Sequence, residues 1–288
     1  MAKKSKPQER YRSDFMIQTN NGGRLESVPG FNVSRVLAQE FPRRPLPAKL
    51  RNDYLGDSSY LEFAVPQHAI GNDDRTPVPS SSMLPWRCIC QLVIEGLNER
   101  QLLGTGWLVG PRTIITAGHN LYSHKERKWA SNIYVIPGRD GDVAPFSYYQ
   151  STKFAVHDGW SNSGDVTQDV GVIWLGTNVG ERLGWFGIAS YSDNDLAGLI
   201  VNTAGYPADK RLGTQWFTAG RIDHIEDRVL RYGLDTEGGQ SGSPVFEYYA
   251  ENHRIAHAIH AYGGGGYNSN LGVRISSDIY DLICSWIR

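Results

Sequence analysis

The chain has 288 residues, and its 29 Lys plus Arg against 30 Asp plus Glu leave a formal net charge of -1 at pH 7, which argues against whole-surface attraction to nucleic acid or acidic membranes. Hydrophobic residues make up 40% and charged residues 20%, enough for a sizeable core, and no apolar stretch approaches the roughly 18 residues of a membrane-spanning helix. The 32 Gly and 11% aromatics lean toward an all-β architecture rich in turns.

Residues 1–67 read as an N-terminal extension poor in core-forming pattern and broken by a basic, proline-rich stretch at 41–50. The lysines near Met1 are not followed by an apolar run of signal-peptide length, so no export signal is recognisable. All eight tryptophans lie after Pro85, and from Trp86 onward short apolar runs alternate with Gly, Asn and Asp, at 88–94, 106–109, 113–116, 133–136, 170–175, 199–204, 229–234, 245–248 and 255–262. This spacing predicts antiparallel strands in a barrel or sandwich, and strand clusters before and after about Gly184 suit two packed barrels. Near the end, Ile279, Leu282, Ile283 and Trp286 recur at helical spacing behind Ser277 and Asp278, which predicts one C-terminal amphipathic helix. Cys88, Cys90 and Cys284 form an odd set that allows at most one bridge. Cys88 and Cys90 fall two apart in an expected strand without the spacing of redox or zinc motifs, and read as packing residues.

Three segments carry chemistry. In 235–246 Ser241 sits among glycines that let the backbone turn sharply and present amide N–H groups, as acyl transfer requires; Gly239 and Ser241 can supply the donors of an oxyanion hole. Alone, such a stretch is more often a turn. In 104–119 two apolar strands joined by a Gly-Pro turn deliver His119 just past the second strand's end, where it serves as a base or as a satisfied structural residue. Asp169 opens the apolar run 170–175, and an acid so close to buried surface needs a partner such as an imidazole N–H; otherwise it is a strand-end Asp.

Taken together, His119, Asp169 and Ser241 occur in an order, and within local words, that resemble the trypsin-like (chymotrypsin-fold) serine peptidases. His119 in Thr-Ala-Gly-His matches the family's Thr-Ala-Ala-His except for one glycine, Asp169 opens a matching Asp-hydrophobic-Gly-hydrophobic word, and Ser241 matches the nucleophile of Gly-Asp-Ser-Gly-Gly-Pro. Gln240 replaces the Asp that in animal members pairs with the new N-terminus on activation, and Ser243 replaces a glycine. The words Gly-Gly-Gln-Ser-Gly-Ser-Pro-Val-Phe, Ala-Gly-Tyr-Pro-Ala-Asp-Lys and Ile-Gly-Asn-Asp-Asp-Arg resemble the bacterial glutamyl endopeptidases. The resemblance implies two six-stranded antiparallel β-barrels, about 85–183 and 184–275, a C-terminal helix at 276–288, and the triad in the cleft between the barrels. It also implies a peptidase domain over 68–288, a removable pro-segment over 1–67, and export, at odds with the missing signal.

The implied reaction is peptide-bond hydrolysis by a monomer acting on protein or peptide substrates, without cofactor, nucleic acid or membrane. Thr236 and His260 stand at the family's Glu-binding positions and can both donate to a carboxylate, which implies cleavage after Glu, then Asp. Asp235 is a rival, since it stands where trypsin-type members place the acid that binds Arg or Lys. A catalytically silent homologue that binds peptides or a partner in the cleft is the other alternative, raised by the glycine before His119 and by the missing export signal. No metal site is expected: His257 and His260, in the cluster with His253, face opposite sides of a strand. An α/β-hydrolase is disfavoured by Ser243 at the last glycine position of Gly-x-Ser-x-Gly and by the absence of βαβ alternation.

Overall fold

The computed structural model describes residues 26–28, 44–51, 56–57, 70, 72–250, 253–263 and 269–288. The first barrel is built from the strands Ile89–Glu95, Leu102–Leu108, Thr113–Thr116, Asn132–Pro137, Tyr149–Ser151, Phe154–Val156 and Gly171–Trp174. Nearly all of their side chains are buried, which is why they read as continuous apolar runs rather than alternating ones. Tyr149–Ser151 pairs with Asn132–Pro137 and Phe154–Val156 pairs with Gly171–Trp174, so these two short strands are halves of one strand broken at 152–153. Ser151 Oγ spans the break by donating to Trp174 O at 2.6 Å, and the barrel is nearly closed there.

In the second barrel the order is His253–Tyr262, Pro244–Ala250, Ile200–Gly205, Trp216–Ile225, Val229–Tyr232 and Asn270–Arg274. Asn270–Arg274 pairs back onto His253–Tyr262 and closes six strands into a ring. Val201, Ile222, Leu230, Tyr232, Leu234, Val245 and Ala258 fill it. Where the barrels meet, Trp107, Phe186 and Phe246 pack edge to face with ring centroids 5.6 and 5.1 Å apart.

The strands expected from the apolar runs are present, with ends shifted by a few residues, as for Leu102–Leu108 in place of 106–109. The ten-residue strand Trp216–Ile225 is an addition; mostly exposed or half-buried, it carries too few apolar residues to announce itself. Cys88 closes a 3-10 turn, Trp86–Cys88, rather than lying in the strand that starts at Ile89. All three cysteines are free, and burial pushes the Cys88 thiol up to about 12, leaving it inert. The helix runs Ser277–Trp286, with Ser276 rather than Ser277 at its N-cap, and buries Ile279 and Ile283 against the rest of the fold.

Most of 1–67 lies outside the described residues. The described parts are tied to the barrels more closely than a core-poor extension implies: Leu46 and Leu50 are buried with Val93, Leu103, Tyr134 and Ile136, and Glu26–Val28 pairs with Gly187–Ser190. Each buried leucine contributes about 1.5–3 kcal/mol relative to exposure. Among the described residues no helix is long and apolar enough to cross a membrane.

Candidate active site

The strand Thr113–Thr116 runs into a short 3-10 turn, Gly118–Asn120, which sets His119 at the barrel's rim facing the second barrel. A Cβ at residue 118 would lie 2.8 Å from a ring carbon of Trp160 and 2.9 Å from Asp169 Oδ1, so the glycine before His119 is required by the packing of this site. Trp160, from the helix Asp158–Ser163, is fixed by its indole N–H donating to Tyr122 O at 2.9 Å. Asp169 caps the turn Val166–Gln168 immediately ahead of the strand Gly171–Trp174.

The Asp169 carboxylate is fully buried and accepts from three donors. His119 Nδ1 is 2.6 Å from Oδ2, the backbone N–H of His119 donates to Oδ1 at 2.8 Å, and the Tyr262 hydroxyl donates to Oδ2. Two of these bonds come from one residue, so the carboxylate sets both the tilt of the imidazole and its tautomer, with the proton on Nδ1 and Nε2 left as a base.

Ser241 follows the turn 237–240, in which Gln240 N–H donates to Glu237 O at 3.0 Å. Gly239 has φ +90°, and a Cβ there would meet Tyr206 O at 2.6 Å, so this position needs glycine for both conformation and space. The first barrel grips the loop: Thr105 N–H and Asn120 Nδ2 donate to Ser241 O at 2.9 and 3.0 Å, and Thr105 Oγ1 donates to Gly239 O at 2.8 Å. The carbonyls of Gly238 and Gln240 accept from Ala208 N–H at 2.7 Å and Ser243 N–H at 3.0 Å. Both peptides are trans, so the N–H groups of Gly239 and Ser241 are turned the opposite way from these pinned carbonyls.

His260 exchanges backbone hydrogen bonds with Gly242 and Ser243, next to Ser241, and both it and Thr236, five residues before Ser241, are fully buried. His260 Nδ1 is 2.8 Å from the Tyr232 hydroxyl, whose own pKa burial pushes well up, so the phenol keeps its proton and donates it. Burial, with a smaller contribution from nearby His119, lowers the His260 pKa to about 3; the imidazole is neutral, and its remaining proton is on Nε2. Among the described residues neither His260 Nε2 nor Thr236 Oγ1 has a hydrogen-bond partner. Asp235 is turned to the N-terminal segment, accepting from Ile70 N–H at 2.5 Å and Asp74 N–H at 2.7 Å.

Hydrogen bonds join His119 to Asp169, the Ser241 hydroxyl donates to Ala261 O at 3.4 Å, Asp235 is turned away, and residues outside the seven singled out from sequence take part as well. Tyr262 and Tyr232 act from strands distant from His119 in sequence, whereas Thr105 and Asn120 lie within or next to the 104–119 segment and were not singled out. Arg75 was visible only as the last letter of Asn-Asp-Asp-Arg. His257 is paired with Glu247 at 3.0 Å, and no group of three or more His, Cys, Asp or Glu side chains among the described residues is arranged to hold a metal ion.

A family model described as the trypsin-like peptidase domain matches residues 104–252, which span His119, Asp169 and Ser241. A glutamyl endopeptidase of Bacillus licheniformis is 38% identical over 224 residues, 75% of this chain and 68% of the relative. A Bacillus subtilis protein named extracellular metalloprotease is 39% identical over 227 residues, 78% of this chain and 72% of the relative. Among solved structures, a Glu endopeptidase in complex with MPD superposes with a TM-score of 0.68 at 27% identity, covering 75% of this chain and 98% of its own.

Proposed function

From the premise that this chain belongs to the trypsin-like serine peptidase family, we propose that Ser241 is its nucleophile, His119 its general base and then acid, and Asp169 the partner that orients the imidazole. Ser241 Oγ attacks the scissile carbonyl carbon as His119 Nε2 takes the hydroxyl proton, and the carbonyl oxygen becomes an oxyanion met by the N–H groups of Gly239 and Ser241. His119 gives its proton to the leaving amine, leaving an acyl-enzyme. Water then repeats the cycle, with His119 again as base, and releases the acid and free Ser241. Asp169 stays ionised and stabilises the imidazolium through Nδ1–H. The observation that carries this reading is the paired grip of one buried carboxylate on both the ring and the backbone of His119. Treatment with a fluorophosphonate followed by peptide mass mapping tests it: Ser241 is the expected modified residue, and labelling elsewhere or nowhere defeats the assignment. The close contacts of Gly118 account for the glycine before His119, one of the two features that raised a silent homologue, and peptide hydrolysis that disappears in Ser241→Ala would exclude that alternative.

For substrate choice the reading is glutamate, then aspartate, on the acyl side of the cleaved bond. Two buried donors without partners, Thr236 Oγ1 and His260 Nε2, suit a carboxylate, and the relatives named glutamyl endopeptidases support it. Asp235 does not compete, because both its oxygens are engaged by backbone N–H groups of the 70–74 segment. A mixed peptide library decides: cleavage chiefly after Arg or Lys overturns the glutamate assignment while leaving the triad standing. The same reading treats 1–67 as a removable pro-segment ahead of a peptidase domain over 68–288 that works as a monomer. If full-length protein is as active as any trimmed form, the pro-segment is wrong.

A further inference from the structure

Arg75 lies 165 positions ahead of Gln240 in the chain, yet its guanidinium reaches the residue next to the nucleophile. The side chain is 2% exposed. Guanidinium has five N–H donors, and the structure gives each of them an acceptor. Nε and Nη2 hold Asp73 at 2.8 Å each, Nη1 and Nη2 hold Asp209 at 3.0 and 2.6 Å, and the remaining Nη1 proton goes to Gln240 Oε1 at 3.3 Å. The same Gln240 oxygen accepts from Glu237 N–H at 3.0 Å, so the Gln240 side chain stitches together the turn that carries Gly238 and Gly239.

Asp209 belongs to the opposite bank. It follows Ala208, whose N–H pins Gly238 O at 2.7 Å, and Tyr206, whose carbonyl lies against Gly239. One cation therefore ties both banks of the loop: the turn through Gln240, and the segment 206–209 through Asp209. Arg75 is itself held in place by the short pairing of Thr76–Pro77 with Trp216 and Phe217 and by the Asp74 hydroxyl bond from Thr218 at 2.8 Å.

We propose that Arg75 is a positioning residue for the oxyanion hole, holding the Gly238–Gly239 peptide in the orientation that aims the Gly239 N–H at the reacting carbonyl. The inference rests on the reading of Gly239 and Ser241 as oxyanion donors. Without Arg75, Gln240 and Asp209 lose the cation that links them; Glu237 N–H on Gln240 Oε1, Ala208 N–H on Gly238 O and Lys210 beside Asp209 remain, but the two banks are held less firmly and the peptide gains freedom to rotate. Substrate binding is untouched, because Thr236 and His260 make no contact with the cluster among the bonds described. Lysine does not substitute, since an ammonium group lacks the planar fork that serves Asp73, Asp209 and Gln240 together.

The test measures kcat and KM with a chromogenic peptide substrate, and the affinity of a peptide aldehyde whose hemiacetal with Ser241 places an oxygen in the hole. Arg75→Met and Gln240→Met are compared with wild type at a temperature where circular dichroism shows all three fully folded. Removing a whole oxyanion donor costs about 10²–10³ in kcat, and a misaimed one should cost about 10–100-fold, with KM within about threefold and aldehyde affinity falling in parallel. The double variant should be no slower than the worse single one, because both break the same link. Should Arg75→Met fail to fold, Gln240→Met decides alone: a kcat within twofold of wild type overturns the proposal, as do additive losses or a change confined to KM. A wild-type protein that forms no aldehyde adduct defeats the underlying oxyanion reading instead, and is distinguishable from a wild type that forms it and an Arg75→Met variant that forms it equally well.

Discussion

The two sides of the cleft treat polar groups in opposite ways. On the first-barrel side the Asp169 carboxylate accepts from the ring and the backbone of His119 and, across the cleft, from the Tyr262 hydroxyl, so the imidazole is aligned before any substrate arrives. On the second-barrel side His260 Nε2 and Thr236 Oγ1 are buried without partners, a cost of about 1–3 kcal/mol per group. On the proposed reading the catalytic half is completed by the fold and the recognition half by the ligand: a carboxylate that satisfied both donors would recover what folding gave up, whereas an apolar side chain would leave them unpaired.

The largest effects should come from breaking the completed side. Ser241→Ala should lower kcat by on the order of 10⁵ to 10⁶ without lowering the melting temperature, checked by steady-state kinetics alongside calorimetry. Asp169→Asn should cost about 10⁴ in kcat, because an amide at that place favours the tautomer with the proton on Nε2, and the loss should be nearly the same for every substrate side chain. On the open side, Thr236→Val should cut kcat/KM for Glu substrates by about 10–100-fold while leaving stability equal or higher, since it removes a hydroxyl that has no partner until substrate binds. A stability loss without a change in Glu preference would show that Thr236 is structural. Tyr262→Phe should lower kcat about tenfold, one charge-assisted hydrogen bond's worth, and leave the Glu preference unchanged.

The smallest effect is on pH-dependent stability. His260 binds a proton near 6.5 when unfolded but only near 3 when folded, so below about pH 6.5 the unfolded state takes up the proton first and stability falls as pH drops toward 3. His260→Gln should shrink the difference in melting temperature between pH 7 and pH 5; an unchanged difference means that His260 is not held neutral by burial.

Of the site, the residues embedded in short words were legible because their neighbours serve backbone geometry that no other sequence serves as well. Gly239 must adopt φ +90° against Tyr206 O, and Gly118 must let Trp160 and Asp169 close on His119. Such constraints are local and leave a trace within a few positions of Ser241 and His119. The C-terminal helix was legible for the same reason, through the periodicity that buries Ile279 and Ile283.

What the sequence by itself determined is therefore the set of chemical groups and the barrels that carry them, since apolar runs and turn glycines are near-neighbour properties. Only the tertiary structure decided where polar side chains point. The sequence favoured Thr236 and His260 for the pocket and left Asp235 as a rival, and it could not show that the 70–74 segment engages Asp235 or that Tyr232 meets one nitrogen of His260. The partners Arg75 and Gln240 are 165 positions apart, and Tyr262 and Asp169 are 93. Hydrogen bonds over such separations leave no pattern along the chain, because they form only after packing of the two barrels has excluded water and brought donor to acceptor.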